Sequence, residues 1–199
     1  SALLALAAAQ QVPQCLCSEA QNCMARAPET VGACADRCQK HISAMGVSYP
    51  ALKMCITAHN DKILAAGQCA TQRFGKTCAD HPGLFVPRRY QETTQLAAFN
   101  EVRRSLAMSG IDFNAVSGVF QTAKKSATCI SKCVTGQSKK CSSKNCGLAL
   151  PSDNQMITTV KNCAREAGFD TYQVRSICSC FVNAGLTNLA PLCHQIVIA

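Results

Sequence analysis

With 199 residues, 16 cysteines, no tryptophan and 5% aromatic residues, the chain cannot build a core of large apolar side chains and must rely on covalent links. Its formal net charge of +9 favours polyanionic partners. No apolar run approaches the roughly 18 residues that a membrane-spanning helix needs, so the sequence predicts no membrane span.

The cysteines indicate a disulfide framework, which is typical of secreted, extracellular proteins. No Cys-x-x-Cys pair occurs, and Cys15-Leu16-Cys17 and Cys178-Ser179-Cys180 are poorly spaced for a tetrahedral zinc site, so we predict no metal and no cofactor. The even number allows all of them to form disulfides: Cys15, Cys17, Cys23, Cys34, Cys38, Cys55, Cys69, Cys78, Cys129, Cys133, Cys141, Cys146, Cys163, Cys178, Cys180 and Cys193.

The N-terminal segment 1–14 is leader-like. Residues 2–9, Ala-Leu-Leu-Ala-Leu-Ala-Ala-Ala, resemble the apolar region and cleavage site of a signal peptide that lacks its basic start. Three alternatives stay open: an untrimmed leader, a helical terminus packed on this molecule, or a segment that docks into a neighbouring one. In the last case both chain ends would drive self-assembly into a homo-oligomer, through Leu3, Leu4, Leu6, Ile196, Val197 and Ile198.

In the first half, residues 15–90, three cysteines between Cys15 and Cys23 indicate an N-terminal clasp. Caps and helix breakers then predict four helices. They are a short helix from Ser18 that ends before Pro28, one from Pro28 to Gly46, one from Pro50 to Gly67, and a short one that carries Cys69 and ends near Gly75. Two prolines and a glycine make residues 79–90 an ordered loop or linker, and therefore the midpoint of the chain.

The second half, residues 91–199, contains an inserted Lys-rich loop, 137–152, which Cys141 and Cys146 are expected to staple. Apolar periodicity and caps predict further helices over 91–109, from Asp112 to Gly136, from Ser152 or Asp153 to Gly168, from Asp170 to Gly185, and near Asn188. No run of alternating strands is evident, so the predicted fold is all-α, with two related helical halves packed together.

Cysteine spacing indicates an internal duplication. Cys34-x-x-x-Cys38 recurs as Cys129-x-x-x-Cys133, and Lys53-Met54-Cys55 matches Lys161-Asn162-Cys163. Cysteines four apart share one helical face, so each such helix can be joined twice to its neighbour. The sixteen cysteines divide eight and eight at the midpoint, so we expect each half to close its own disulfides.

These helical Cys-x-x-x-Cys segments in a tryptophan-free chain resemble the secreted cysteine-rich proteins of nematodes, including the chondroitin-proteoglycan type. The resemblance rests on cysteine spacing over residues 15–193. It implies an extracellular, non-catalytic role and glycan attachment at Ser109-Gly110 and Ser117-Gly118. Helix termination and small-residue packing are the alternative explanation of these two pairs.

No catalytic constellation is evident, and we predict that the protein is not an enzyme. The four histidines form neither His-x-x-x-His nor His-Glu-x-x-His, and no Gly-x-Ser-x-Gly turn occurs. His59-Asn60-Asp61 could coordinate an ion, but neighbours on a helix point in different directions.

A basic stretch lies between Asp112 and Asp153, where no acidic residue occurs. Its lysines are predicted to bind an anionic partner: Lys124, Lys125, Lys132, Lys139, Lys140 and Lys144. Lysine suits diffuse polyanion attraction, and an extracellular location favours sulfated glycans over nucleic acid. A solvated face that serves solubility is the alternative.

The predicted function is therefore a secreted, non-enzymatic structural or binding protein. The alternative is an extracellular carrier of a small apolar ligand such as a fatty acid, because disulfide-braced helices can enclose a cavity. Its candidate lining is an apolar stripe, which ordinary core packing would also explain: Leu96, Phe99, Leu106, Phe113, Val116 and Phe120.

Overall fold

The computed structural model describes residues 10–138 and 145–198, without the side chains of 22–25 and 138. It confirms the all-α, disulfide-rich fold. The helices are α1 (Cys17–Ala25), α2 (Ala27–Arg37), α3 (Lys40–Ser43), α4 (Tyr49–Thr57), α5 (Asn60–Phe74), α6 (Gln91–Met108), α7 (Phe113–Ser138), α8 (Asp153–Glu166) and α9 (Thr171–Asn183). Short 3-10 turns follow at Thr187–Leu189 and Cys193–Gln195.

Two short strands accompany the helices. Strand β1 (Gln11–Pro13) pairs antiparallel with β2 (Phe85–Pro87), so the start of the described chain is tied to the midpoint loop. Val12 lies opposite Val86 and both are buried. Gly147 lies against this pair so closely that an added Cβ would come within 3.0 Å of Val12 and 3.1 Å of Val86. A larger residue at 147 would require the Val12 and Val86 side chains to shift by a few tenths of an ångström.

Capping residues set several helix ends as predicted. Ser152 accepts a hydrogen bond from the amide of Gln155 and completes a capping box, and Asp170 caps α9 through the amide of Gln173. Gly75 ends α5 with φ of 66°, a conformation that glycine adopts without strain.

Several helix boundaries differ from the prediction. The helix expected from Pro28 to Gly46 is interrupted after Arg37 and resumes as α3 at Lys40, and Gly67 lies inside α5 instead of ending a helix. The helical conformation is interrupted at Ala58 and His59, between α4 and α5, where a continuous helix from Pro50 to Gly67 was expected. The break has a packing cause, because α4 packs against α9 whereas α5 packs against α8. Helix α7 continues past Gly136 to Ser138, because a glycine inside a helix costs only about 1 kcal/mol.

Seven disulfides join described cysteines, and they overturn the expectation that each half closes its own bridges. Five of them connect the two halves: Cys15–Cys146, Cys34–Cys133, Cys38–Cys129, Cys55–Cys180 and Cys69–Cys163. One stays within each half, Cys17–Cys78 and Cys178–Cys193. Cys146 therefore staples the Lys-rich insertion to the N-terminal clasp rather than to Cys141. The side chains of Cys23 and Cys141 lie outside the described residues.

Antiparallel packing explains why the halves are linked to each other. Helices α2 and α7 lie side by side, and the first cysteine of each Cys-x-x-x-Cys segment meets the second cysteine of the other. Two of the three other bridges between the halves are related in the same way, since Cys55–Cys180 joins α4 to α9 and Cys69–Cys163 joins α5 to α8. In this pattern α2 corresponds to α7, α4 to α8 and α5 to α9. If each helix is replaced by its counterpart in the other half, the four bridges join the same pairs of helices as before.

The core between the halves is small. One apolar cluster consists of Val47, Leu52, Ala184 and Leu186, and disulfide sulfurs fill much of the remaining interior. Gly185, with φ of 121°, brings the end of α9 so close to the chain at Val47 that an added Cβ would lie 3.2 Å from the Val47 Cα. Among the described helices, none is long and apolar enough to cross a membrane.

Candidate functional site

An open groove of about 750 Å³ runs along one face of α7. The helix has 26 residues and the lining positions recur at intervals of three and four, so they share one face. Helix α3 supplies His41 on the opposite wall, and Cys129, which is bonded to Cys38, fixes the distance between the walls. The α7 face consists of Phe113, Phe120, Gln121, Lys124, Lys125, Thr128, Cys129 and Lys132.

Three of the six predicted anion-binding lysines lie together in this groove. Lys124, Lys125 and Lys132 are all exposed, and none of them forms an ion pair with a described acidic residue. No carboxylate lines the groove in the part of the chain that the structure describes. The groove is therefore positively charged and its ammonium groups are free to bind a ligand. Lys139, Lys140 and Lys144 lie outside the described residues.

Aromatic rings close one end of the groove. The ring of Phe120 packs edge-on against Phe99 and Phe113, with centroids 4.9 and 4.8 Å apart. The guanidinium carbon of Arg103 lies 4.5 Å from the Phe113 ring centroid, which is cation–π distance. This end thus combines an apolar surface with a fourth cation.

The structure does not gather the predicted apolar stripe into one cavity. Phe99, Phe113 and Phe120 form the ring cluster, and Val116 is buried beneath the helix surface. Leu96 is 56% exposed and borders a smaller cavity of about 300 Å³ between α6 and α7, which shares Lys124, Thr128 and Lys132 with the groove. Leu106 lines a separate cleft under the C-terminal tail.

Several groove residues were not predicted from the sequence. Gln121 and Thr128 lie three or four positions from Lys124 and Lys132, so helical spacing alone could have identified them. His41 belongs to another helix, and only the tertiary packing brings it to α7, as it brings Arg103 of α6 to the Phe113 ring beside the groove.

The predicted assembly residues at the C-terminus fold back on the chain itself. Ile196 and Ile198 are partly buried, and Val197 is 48% exposed. Ser109 holds this tail, because its hydroxyl accepts a hydrogen bond from the Val197 amide at 3.0 Å. Leu3, Leu4 and Leu6 lie outside the described residues. The hydrogen bond from the Val197 amide also engages the hydroxyl of Ser109, the serine of the first Ser-Gly pair.

The shifted titratable groups lie away from the groove. A hydrogen bond from Lys53 and another from Tyr49 hold the pKa of Asp36 below its ordinary value. Burial, followed by the hydrogen bond to Asp36, raises the pKa of Tyr49 to about 12. These three side chains join α2 to α4.

A second polar cluster anchors the midpoint loop to α8. Burial raises the pKa of Asp153, but hydrogen bonds from Thr93 and Thr94 and the charge of Arg89 outweigh it and hold that pKa below its ordinary value. Arg89 Nη1 lies 3.1 Å from Asp153 Oδ1. No group of three or more described His, Cys, Asp or Glu side chains is arranged to hold a metal ion.

Fold and site thus define a disulfide-crosslinked helical protein with a lysine-lined groove. Comparison with family models, with curated proteins and with solved structures gives no match.

Proposed function

We propose that the protein is a secreted, non-enzymatic binding protein that holds a sulfated glycan in the α7 groove. The observation that carries the proposal is the positive charge of Lys124, Lys125 and Lys132 along one groove that no described carboxylate lines; Glu92 borders the smaller adjoining cavity. The disulfides support an extracellular setting, because such bonds persist in oxidising compartments.

The chemistry of the groove suits a sulfated sugar chain. Flexible lysine ammonium groups attract sulfates spaced along a polymer without demanding one geometry. The electron-rich faces of Phe113 and Phe120 can contact the polarised C–H groups of a sugar ring. The groove is open to solvent, so it can hold one stretch of a longer chain.

The test measures binding of a heparin oligosaccharide to the variant Lys124→Gln/Lys125→Gln/Lys132→Gln as salt is varied. Exposed ion pairs contribute about 0.2–1 kcal/mol each, so we expect affinity to fall roughly 3- to 150-fold. The wild-type affinity should itself fall steeply with salt, because exposed charges are screened.

The matched control is Lys53→Gln/Lys76→Gln/Arg88→Gln, which removes the same charge from exposed positions outside the groove. This variant should keep most of the affinity. Equal losses in the two variants would mean that net charge alone attracts heparin, and binding that survives molar salt would contradict the ionic mechanism.

The alternative function, an extracellular carrier of a small apolar ligand, is favoured by a different cavity, which lies beneath the C-terminal tail.

A further inference from the structure

We propose that the cleft beneath the C-terminal tail binds a small linear apolar carboxylate, such as a medium-chain fatty acid. The cleft of about 400 Å³ lies between α6, α8, α9 and the last described residues. Small-molecule pockets measure roughly 300–1,000 Å³, whereas packing voids larger than a water molecule are few in protein interiors. No described residue lines both this cleft and the α7 groove, so the site goes beyond the glycan-binding function.

The tail forms a fixed wall of the cleft. The disulfide Cys178–Cys193 anchors it to α9 just before it reaches the cleft. Arg175 Nε then donates to the Ile196 carbonyl at 2.9 Å. Further along, the amides of residues 197 and 198 donate to the hydroxyls of Ser109 and Thr171, both at 3.0 Å. The wall is therefore built by specific contacts with α6 and α9.

The surface inside the cleft is apolar. Val102 and Leu106 from α6 face Phe169 and Val174 across the space, and Ile196 and Ile198 close it. At its rim Val102 remains 47% exposed and Val197 48% exposed. A hydrocarbon chain in the cleft would cover these side chains and remove apolar surface from water.

One cation of the cleft lacks a partner. Lys161 Nζ lies 3.0 Å from Glu101 Oε1, and Glu101 also pairs with Arg104 at 3.1 Å through Oε2, so Lys161 already has an anionic partner. Arg165 also lines the cleft and is exposed, but it forms no ion pair with any described acid. Charge complementarity therefore calls for an anionic head group on an apolar ligand.

The acids on the outer side of Arg165 already have partners. Glu166 accepts from Arg73 at 2.8 Å, and Asp170 caps α9 by accepting from the Gln173 amide at 2.8 Å. The guanidinium of Arg165 is thus available at the mouth of the cleft. Its planar fork can donate two parallel hydrogen bonds to a carboxylate while the hydrocarbon chain enters between α6 and α9.

The experiment titrates dodecanoate and its neutral counterpart dodecanol into oxidised, full-length protein that has been freed of lipid. Calorimetry should show one dodecanoate bound per chain. Arg165→Gln should weaken dodecanoate at least about tenfold, because a hydrogen bond to a charged group is lost, and should leave dodecanol unchanged. Arg88→Gln, at an exposed position beyond β2, should bind like the wild type.

A second variant tests the location of the site. Ala164→Phe places a ring in the cleft and should abolish binding of both ligands, while circular dichroism verifies that the helices are intact. Lys124→Gln/Lys132→Gln should leave dodecanoate binding intact, whatever its effect on heparin. Absence of dodecanoate binding at millimolar concentration, or binding that survives Ala164→Phe, would overturn the proposal without affecting the glycan-binding one.

Discussion

Removing the two bridges between α2 and α7, singly and together, tests the crossed arrangement most directly. With Cys38–Cys129 intact, Cys34–Cys133 closes a ring of only about ten residues, because the cysteines are four apart on each helix. The chain-entropy relation then assigns about 2.7 kcal/mol to that bridge. The same value applies to Cys38–Cys129 while Cys34–Cys133 is intact.

The second bridge to be removed closes a longer ring. Among the described disulfides, the shortest remaining path between Cys38 and Cys129 runs through Cys15–Cys146 and covers 23 residues on one side and 17 on the other. A ring of about 40 residues corresponds to about 3.9 kcal/mol. Removing both bridges should therefore cost about 1 kcal/mol more than the sum of the two single removals.

The assay is guanidinium chloride unfolding, followed by circular dichroism under non-reducing conditions, of Cys34→Ala/Cys133→Ala, Cys38→Ala/Cys129→Ala and the fourfold variant. Each substitution also removes the packing contacts of one sulfur. These losses occur in the two double variants and again in the fourfold variant, so they largely cancel when the sum of the two is subtracted from the combined loss. Additivity within about 0.3–0.5 kcal/mol, or a combined loss smaller than the sum, would refute the nested rings.

Three further predictions concern acid stability, a tight turn and the N-terminal segment. The depressed pKa of Asp153 stabilises the fold fully above its unfolded-state pKa of about 3.9 and less as pH falls through the lower folded value. In Asp153→Asn, the free energy of unfolding should therefore fall less steeply as the pH is lowered, as measured by guanidinium chloride unfolding at a series of acidic pH values. The same steepness in variant and wild type would argue against this pKa shift. Gly185→Ala should cost about 1–3 kcal/mol in thermal or chemical unfolding, whereas Gly118→Ala, in open helical space, should stabilise by about 0.5–1 kcal/mol; equal effects would deny the strain at Gly185. Deleting residues 1–9 should lower the mass seen by light scattering if that segment drives assembly, and an unchanged mass would rule that role out.

The local parts of the fold could be predicted from the sequence. Ser152 and Asp170 cap helices because their side chains accept hydrogen bonds from amides three residues later. Gly75 ends α5 for an equally local reason, since it alone tolerates the backbone angle required there. Such features depend on neighbouring residues and leave a direct signature in the chain.

The long-range parts could not be predicted in the same way. The interruption of the helix at His59 has no glycine or proline to mark it in the sequence. It arises because α4 and α5 pack on different helices. The counts of cysteines in the two halves were compatible with separate or shared bridges, and only the antiparallel contact of α2 with α7 decides between them. The lysines on the α7 side of the groove could be predicted from their spacing in the sequence. His41, on the other side, belongs to a helix that is distant in sequence and could not.

The exchange of bridges between the halves has a consequence for biosynthesis. While the ribosome has delivered only the first half, Cys34, Cys38, Cys55 and Cys69 have no native partner, since every one of them bonds to a residue at 129 or later. Correct oxidation must therefore wait for the second half. A chain truncated after the midpoint loop could complete the same pattern only with a second copy of itself, with Cys34 of one copy opposite Cys38 of the other and Cys55 opposite Cys69. In these four bridges the single chain has the connectivity of an intertwined dimer, and its two halves must mature as one molecule.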